Sequence, residues 1–248
     1  DSWDASPCKY RAARVSFLVV DNLRKVYEGP RGGLEALQGI DFAAPAGDFL
    51  AVRGPSGCGK STLLHILGAM DRPTTGSVRL RGRELGGLKP EELAVFRRRH
   101  VGFVFQSFHL LPTLTVAENV GLPLTLDGRP ESEARRRAAA LLERVGLTGR
   151  ADYLPSQLSG GEMQRAAVAR AVIAEPDILL ADEPTGNLDS ANGRAVMELL
   201  ADLNMQSGLT IVLATHSAEA AAYARRTLEL CDGRLQRLVQ HDGLSSPV

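Results

Sequence analysis

Gly54-Pro55-Ser56-Gly57-Cys58-Gly59-Lys60-Ser61-Thr62 is the stretch on which the reading of this chain turns. A β-type run, Asp48 to Arg53, leads into it, and Leu63, Leu64, Ile66 and Leu67 follow at helical spacing. The order is therefore strand, glycine loop, helix. Glycines let successive backbone N–H groups turn inward around a polyphosphate, and the new helix directs its positive dipole end at the same anion. Lys60 is placed to reach the β and γ phosphates, and Ser61 to ligate Mg²⁺. Gly54, Pro55, Ser56, Gly57, Cys58, Gly59 and Thr62 complete the cradle. The helix end would sensitise the Cys58 thiol, but a small spectator between two glycines is the simpler reading.

The rest of the composition makes such a local site necessary. In 248 residues, 29 basic side chains balance 29 acidic ones, and only four of the bases are lysines: Lys9, Lys25, Lys60 and Lys89. Zero net charge removes the broad positive field of a nucleic-acid coat protein, so no nucleic-acid partner is expected. The longest purely apolar stretches, such as Phe17 to Val20, fall far short of the roughly 20 residues that span a bilayer. Three cysteines, Cys8, Cys58 and Cys231, lie far apart without a CxxC pair, which indicates neither a disulfide framework nor a zinc site and suits a reducing cytoplasm. Residues 1–13 begin with Asp, show no apolar signal-peptide core and read as an extension.

From Val15 onward, β-type runs alternate with helix-type segments: Val15 to Val20, Asp48 to Arg53, Val101 to Phe105, Ile178 to Ala181 and Thr210 to Ala214. That alternation predicts an α/β sheet. Runs before position 55 follow one another through short Gly/Pro turns, as antiparallel strands would, whereas helices separate those after Ile178. A parallel core with an antiparallel flank is expected. Between about Ser107 and Arg170 the strand pattern vanishes, and Glu131 to Val145 sets Ala134, Ala138, Leu141, Leu142 and Val145 on one helical face. This predicts a helical insertion. The runs Arg135 to Arg137 and Arg97 to Arg99 read as solvated helix faces.

A second half of the site follows downstream. The buried-type run Ile178 to Ala181 delivers Asp182 and Glu183 to its C-terminal end. Asp182 can hold Mg²⁺ through water, and Glu183, on the opposite side of the strand, can polarise an attacking water. Leu158-Ser159-Gly160-Gly161-Glu162-Met163-Gln164 then places a serine and two glycines at a helix start, again an anion-binding geometry.

With these motifs the chain resembles the ATP-binding cassette ATPases, from about Val15 to Val239. The Leu158 to Gln164 run resembles the family signature. The resemblance implies a P-loop NTPase core with an antiparallel β flank and a helical subdomain, binding ATP and Mg²⁺. It also implies a head-to-tail dimer, here a homodimer, in which Ser159, Gly160, Gly161 and Glu162 of one subunit close over ATP on the glycine loop of the other. By the same resemblance Tyr27 stacks on adenine, Gln106 reaches Mg²⁺ and the attacking water, Asp189 belongs to the loop that crosses the dimer interface, and His216 contacts the γ-phosphate. Lys60, Glu183 and His216 are then the catalytic set, and Ser61, Gln106 and Asp182 the metal set.

Gly102 to Gln106, Leu110 to Pro112, Thr115 to Val120 and Ala181 to Asp189 resemble the branch that holds the lipoprotein-release (LolD), macrolide-efflux (MacB) and cell-division (FtsE) ATPases. That branch implies transmembrane permease partners and a peripheral position on the cytoplasmic face of the inner membrane. The ATPase there powers export, extraction or mechanotransmission; the alternative is a module that signals or regulates cell-wall hydrolysis. Phe108, Leu110, Leu111 and Leu114 either receive a coupling helix of the partner or pack the helical subdomain. The expected division is an ATPase domain over 14–240, with core 14–106 and 171–240 around a helical subdomain at about 107–170, and a tail over 241–248.

Overall fold

The computed structural model describes residues 16–29 and 32–241; the proposed extension and most of the tail, with Val15, lie outside the described residues. Two sheets form the frame. The first is antiparallel, in the order β2 (Leu34–Ala44), β1 (Leu18–Tyr27), β4 (Thr75–Leu80), β5 (Arg83–Glu84). The second has the order β10 (Arg234–Gln240), β9 (Arg226–Cys231), β3 (Phe49–Arg53), β8 (Thr210–Thr215), β7 (Ile178–Asp182), β6 (Val101–Phe105). All of its pairings are parallel except β10 with β9.

One expectation is corrected here. The run Asp48 to Arg53 does not continue the antiparallel succession before it, because β3 pairs in parallel with both β8 and β9. The short turn at Gly47 carries the chain from one sheet to the other, and β3 is covered on both sides by strands from the far end of the sequence. Its residues Phe49, Leu50, Ala51 and Val52 are accordingly buried, as strands inside a parallel sheet are.

Strand alternation divides the interior. On one face of the large sheet, Ile178, Leu180, Val212 and Ala214 join α1 (Lys60–Leu67) and the antiparallel sheet in one core. On the other, Leu179, Ala181, Ile211 and Leu213 pack against α6 (Ser190–Ser207) and α7 (Ala218–Ala221). Period-two side-chain placement makes one strand serve both layers. A third core joins α3 (Val116–Leu126), α4 (Glu131–Arg144) and α5 (Gly160–Val172). Ala134, Ala138, Leu142 and Val145 lie in it, and Leu141 packs alongside, as their spacing predicts.

The remaining helix, α2 (Pro90–His100), precedes the edge strand β6. Its arginines are not a free solvated face: Arg97 donates to the Ala69 carbonyl, while Arg98 and Arg99 share Asp127. Arg137 is likewise paired, with Glu133 and Glu175.

The register fixes where function can sit. Arg53 pairs with Thr215, Asp182 with Ala214, and Phe105 with Asp182. The parallel strands therefore end together, and the segments that follow them, Gly54 to Gly59, Gln106, Glu183 and His216, emerge at one sheet edge. Ligands of open parallel sheets bind at that carboxyl end.

Candidate nucleotide site

The glycine loop folds as its spacing predicts. Gly57 and Gly59 adopt φ of 79° and 103°, and a Cβ on Gly59 would lie 2.5 Å from the Ala36 carbonyl oxygen. Neither the backbone angle nor the space admits a side chain at Gly59. α1 begins at Lys60 without a side-chain cap, which leaves its first N–H groups for an anion.

Lys60 is buried, and its ammonium donates to the carbonyls of Gly54 (2.9 Å) and Pro55 (3.0 Å), with Glu183 Oε1 at 3.9 Å. The loop thus holds its own cation in place. Cys58 is buried as well, and burial pushes its thiol pKa up. A raised pKa depletes the reactive thiolate, which favours the spectator reading.

Asp182 closes β7 with its Oδ1 buried and without a hydrogen-bond partner. Burial raises its pKa, and the Ser61 hydroxyl facing it offsets part of that shift. A buried, unpartnered carboxylate oxygen beside a hydroxyl suits a hard divalent cation with oxygen ligands. The residues present therefore fit Mg²⁺.

Glu183 is aimed by a turn, not by strand alternation as the sequence suggests. β7 ends at Asp182, and Glu183 takes φ of 47° with its N–H on the Ala214 carbonyl (2.9 Å). A non-glycine residue in left-handed backbone costs on the order of 1 kcal/mol and marks a position the surroundings over-determine. Its Oε1 lies 3.0 Å from His216 Nδ1. Glu183 is mostly buried, whereas the His216 ring stands 69% exposed, with Nε2 free of partners among the described residues.

Gln106 and Asn187 clasp each other: the Gln106 amide donates to Asn187 Oδ1 and the Asn187 amide to the Gln106 carbonyl, both at 3.1 Å. Tyr27 stays 39% exposed at the rim, near the Thr62 side chain. Its hydroxyl donates to Asp71 Oδ2 (2.8 Å), and the Lys25 ammonium sits 4.7 Å from its ring centroid.

Ser159, Gly160, Gly161 and Glu162 lie elsewhere. Ser159 caps α5 in a reciprocal box with Glu162, and no hydrogen bond or ion pair joins these four to the glycine loop among the described residues. Asp189 caps α6, with its two oxygens accepting from the Asn192 N–H and side-chain amide. The structure thus gathers Lys60, Ser61, Asp182, Glu183 and His216 at one edge and leaves the second anion-binding turn apart.

A family model described as ABC transporter matches residues 37–186. This chain belongs to the ABC transporter family. An ABC transporter ATP-binding protein of Methanocaldococcus jannaschii, MJ1508, is 48% identical over 218 residues, covering 88% of this chain and 97% of that one. The lipoprotein-releasing system ATP-binding protein LolD of Nitratidesulfovibrio vulgaris is 47% identical over 216 residues, covering 87% and 93%. The macrolide export ATP-binding/permease protein MacB of Sodalis glossinidius is 49% identical over 202 residues, 82% of this chain but 31% of that longer protein. The dimeric, post-hydrolysis structure of the ATP-binding cassette MJ0796 with ADP and Pi superposes with a TM-score of 0.85 at 40% identity, covering 91% of this chain and 99% of that one. The cassette fold, an α/β nucleotide-binding core with antiparallel flank and helices, is thereby shown for this ABC transporter chain.

Three residues around the cassette's site escaped sequence reasoning. Asp71 holds both Tyr27 and Lys25. Gln164 of α5 donates to the Phe105 carbonyl (3.2 Å), tying the signature helix to the strand end before Gln106. Arg150 donates to Glu162 Oε1 (2.8 Å). Of these only Gln164 carried a signal, as part of the signature run. The apolar set is divided: Leu110 packs against the helical core, while Leu111 stays exposed. An open groove of about 580 Å³ lies nearby, lined by Met70, Phe103, Phe105, His109, Leu122 and Leu126 among others.

Proposed function

We propose that two copies of this chain close head-to-tail over two MgATP molecules, hydrolyse them, and so drive transmembrane permease partners. The observation that carries this is the single sheet edge at which Lys60, Ser61, Asp182, Glu183 and His216 meet. Bound Mg²⁺ would polarise the phosphate oxygens as a Lewis acid; Ser61, Asp182 and Gln106 are the residues that would hold it. The amides of Gly54 to Thr62 and the Lys60 ammonium bind the β and γ phosphates, Lys60 exchanging two carbonyl contacts for a charge-assisted one. Glu183 orients the attacking water and takes its proton, and His216 braces the carboxylate from one side. Tyr27 receives the adenine on its exposed ring. Ser159, Gly160, Gly161 and Glu162 meet the γ-phosphate on the other subunit, with Asp189 bordering that interface.

Transport is the reading supported by relatives named for lipoprotein release and macrolide export. Residues 107–170 act as the helical subdomain between core segments, and the groove of Met70 and Leu126 is where an apolar partner segment would dock. No helix among the described residues is long and apolar enough to cross a membrane. The relatives named for lipoprotein release and macrolide export support a place as a peripheral subunit on the cytoplasmic face of the inner membrane.

Glu183→Gln tests the proposal. Turnover is expected to fall roughly 10²–10⁴-fold, the usual contribution of a general base, with ATP binding intact and an ATP-dependent dimer on size exclusion. Normal turnover by this variant would overturn the assignment.

A further inference from the structure

The signature turn contains an electrostatic conflict. A helix N-terminus attracts phosphate, yet the third residue of α5 is a carboxylate. Glu162 Oε2 accepts from the Ser159 N–H and the Ser159 hydroxyl, both at 2.9 Å, so the one hydroxyl proton that could meet a phosphate is held by Glu162. Left alone, that carboxylate would repel a polyphosphate and compete with it for the Ser159 proton.

Arg150 bears on both difficulties. Its Nε donates to the other carboxylate oxygen, Oε1, at 2.8 Å. The Arg150 hydrogen bond, followed by those from Ser159, holds the Glu162 pKa down to about 2. The guanidinium is fixed in turn: it lies over the Tyr153 ring, 4.9 Å from the centroid, and the Arg150 carbonyl accepts from the Tyr153 N–H. Carbonyls of Ala151 and Tyr153 accept from the first N–H groups of α3, so the segment is pinned to the helical core. Nothing in the lengthwise sequence pairs residues 150 and 162; the fold does.

We propose that Arg150 is a positioning residue for ATP-driven dimer closure: it neutralises Glu162, so that the start of α5 presents net positive potential and the Ser159 hydroxyl is released to the γ-phosphate of the partner's ATP. The inference rests on the head-to-tail reading above. A glutamine at 162 keeps the capping box but carries no charge, so it removes the need for Arg150.

The test measures MgATP-dependent dimerisation of the full chain by size exclusion in the Glu183→Gln background. Arg150→Ala is expected to raise the half-maximal MgATP concentration roughly five- to thirty-fold, the range of a favourable charge–helix-end interaction. ADP affinity, set by the glycine loop and Tyr27 of the same chain, stays unchanged and shows that the fold is intact. Arg150→Lys retains most of the dimerisation. The decisive variant is Arg150→Ala/Glu162→Gln, which recovers dimerisation to the level of Glu162→Gln alone. The proposal is overturned if Arg150→Ala dimerises normally, or if the double variant stays as impaired as Arg150→Ala, because Arg150 would then act only on the fold. Ser159→Arg separates the underlying reading: dimerisation that survives this bulky change defeats the head-to-tail arrangement itself and the proposal with it, whereas loss here with no effect of Arg150→Ala defeats the proposal alone.

Discussion

Gly161→Ala is a sharp test of how the signature turn is built. A Cβ at position 161 would lie 2.1 Å from Asn192 Oδ1, 2.5 Å from its Cγ and 3.0 Å from its Cβ. Real contacts do not fall below about 3 Å, so the Asn192 side chain must rotate away. Rotation breaks its amide donation to Asp189 Oδ2 (2.7 Å), and forcing a methyl group into an occupied position costs about 1–3 kcal/mol. Against this stands the helix-propensity gain of alanine over glycine, at most about 1 kcal/mol and smaller at a helix end. The balance is a loss of about 1 kcal/mol, or about 2–4 °C in midpoint for a chain of this size. Thermal and urea unfolding of Gly161→Ala, Asn192→Ala and the double variant measure it. In the double variant Oδ1 and Cγ are removed and only the Cβ contact at 3.0 Å remains, so alanine at 161 costs clearly less than it does with Asn192 in place. Equal destabilisation by Gly161→Ala with and without Asn192 would refute the steric argument. ATPase activity should stay depressed in the double variant, because a methyl group remains where we propose the partner's phosphate approaches.

Lys60→Ala is expected to abolish binding of a fluorescent ATP analogue while circular dichroism stays native, and retained affinity would count against the glycine-loop reading. The pH dependence of stability carries a further signature. Glu162 falls from an ordinary 4.5 to about 2 in the folded chain; a depressed folded-state value gives stability that is complete above the unfolded pKa and is lost as pH falls toward the folded one. The unfolding free-energy difference between the native chain and Glu162→Gln should therefore shrink between about pH 5 and pH 2, and a difference constant across that window would contradict the Arg150 contact.

What the sequence revealed followed from local physics. The glycine loop, the carboxylates at the end of β7 and the face of α4 are each specified by residues close together in the chain, through turn conformation, strand length and helical period. Ser159 and Glu162 are likewise a visible capping box. The misreadings share a different cause. β3 looks like the third member of an antiparallel series because its neighbours in sequence are; its true partners, β8 and β9, come from the far end of the chain. The left-handed turn of Glu183 is imposed by its N–H reaching the Ala214 carbonyl, and no residue type announces it. Arg98 and Arg99 read as a solvated helix face, and Asp71 and Arg150 carry no local signal; each acquires its role from a residue that only folding brings near.

Zero net charge gives the two anion-binding ends of the cassette different designs. The glycine loop carries its own cation: Lys60 waits on backbone carbonyls, which are neutral, and can leave them for phosphate without stranding a charge. Under the proposed reading, nucleotide binding there needs only one chain. The signature end has no lysine. Its attraction comes from a helix end and a hydroxyl; its own carboxylate opposes the first and holds the second, and Arg150 is proposed to offset both. By this proposal, a contact so nearly balanced favours closure only when a full γ-phosphate is presented to it. Under the proposed head-to-tail arrangement, the weakness of this second end is what makes the dimer respond to ATP and release after hydrolysis, and substitutions at Arg150 should alter ATP-dependent closure far more than they alter nucleotide binding to the single chain.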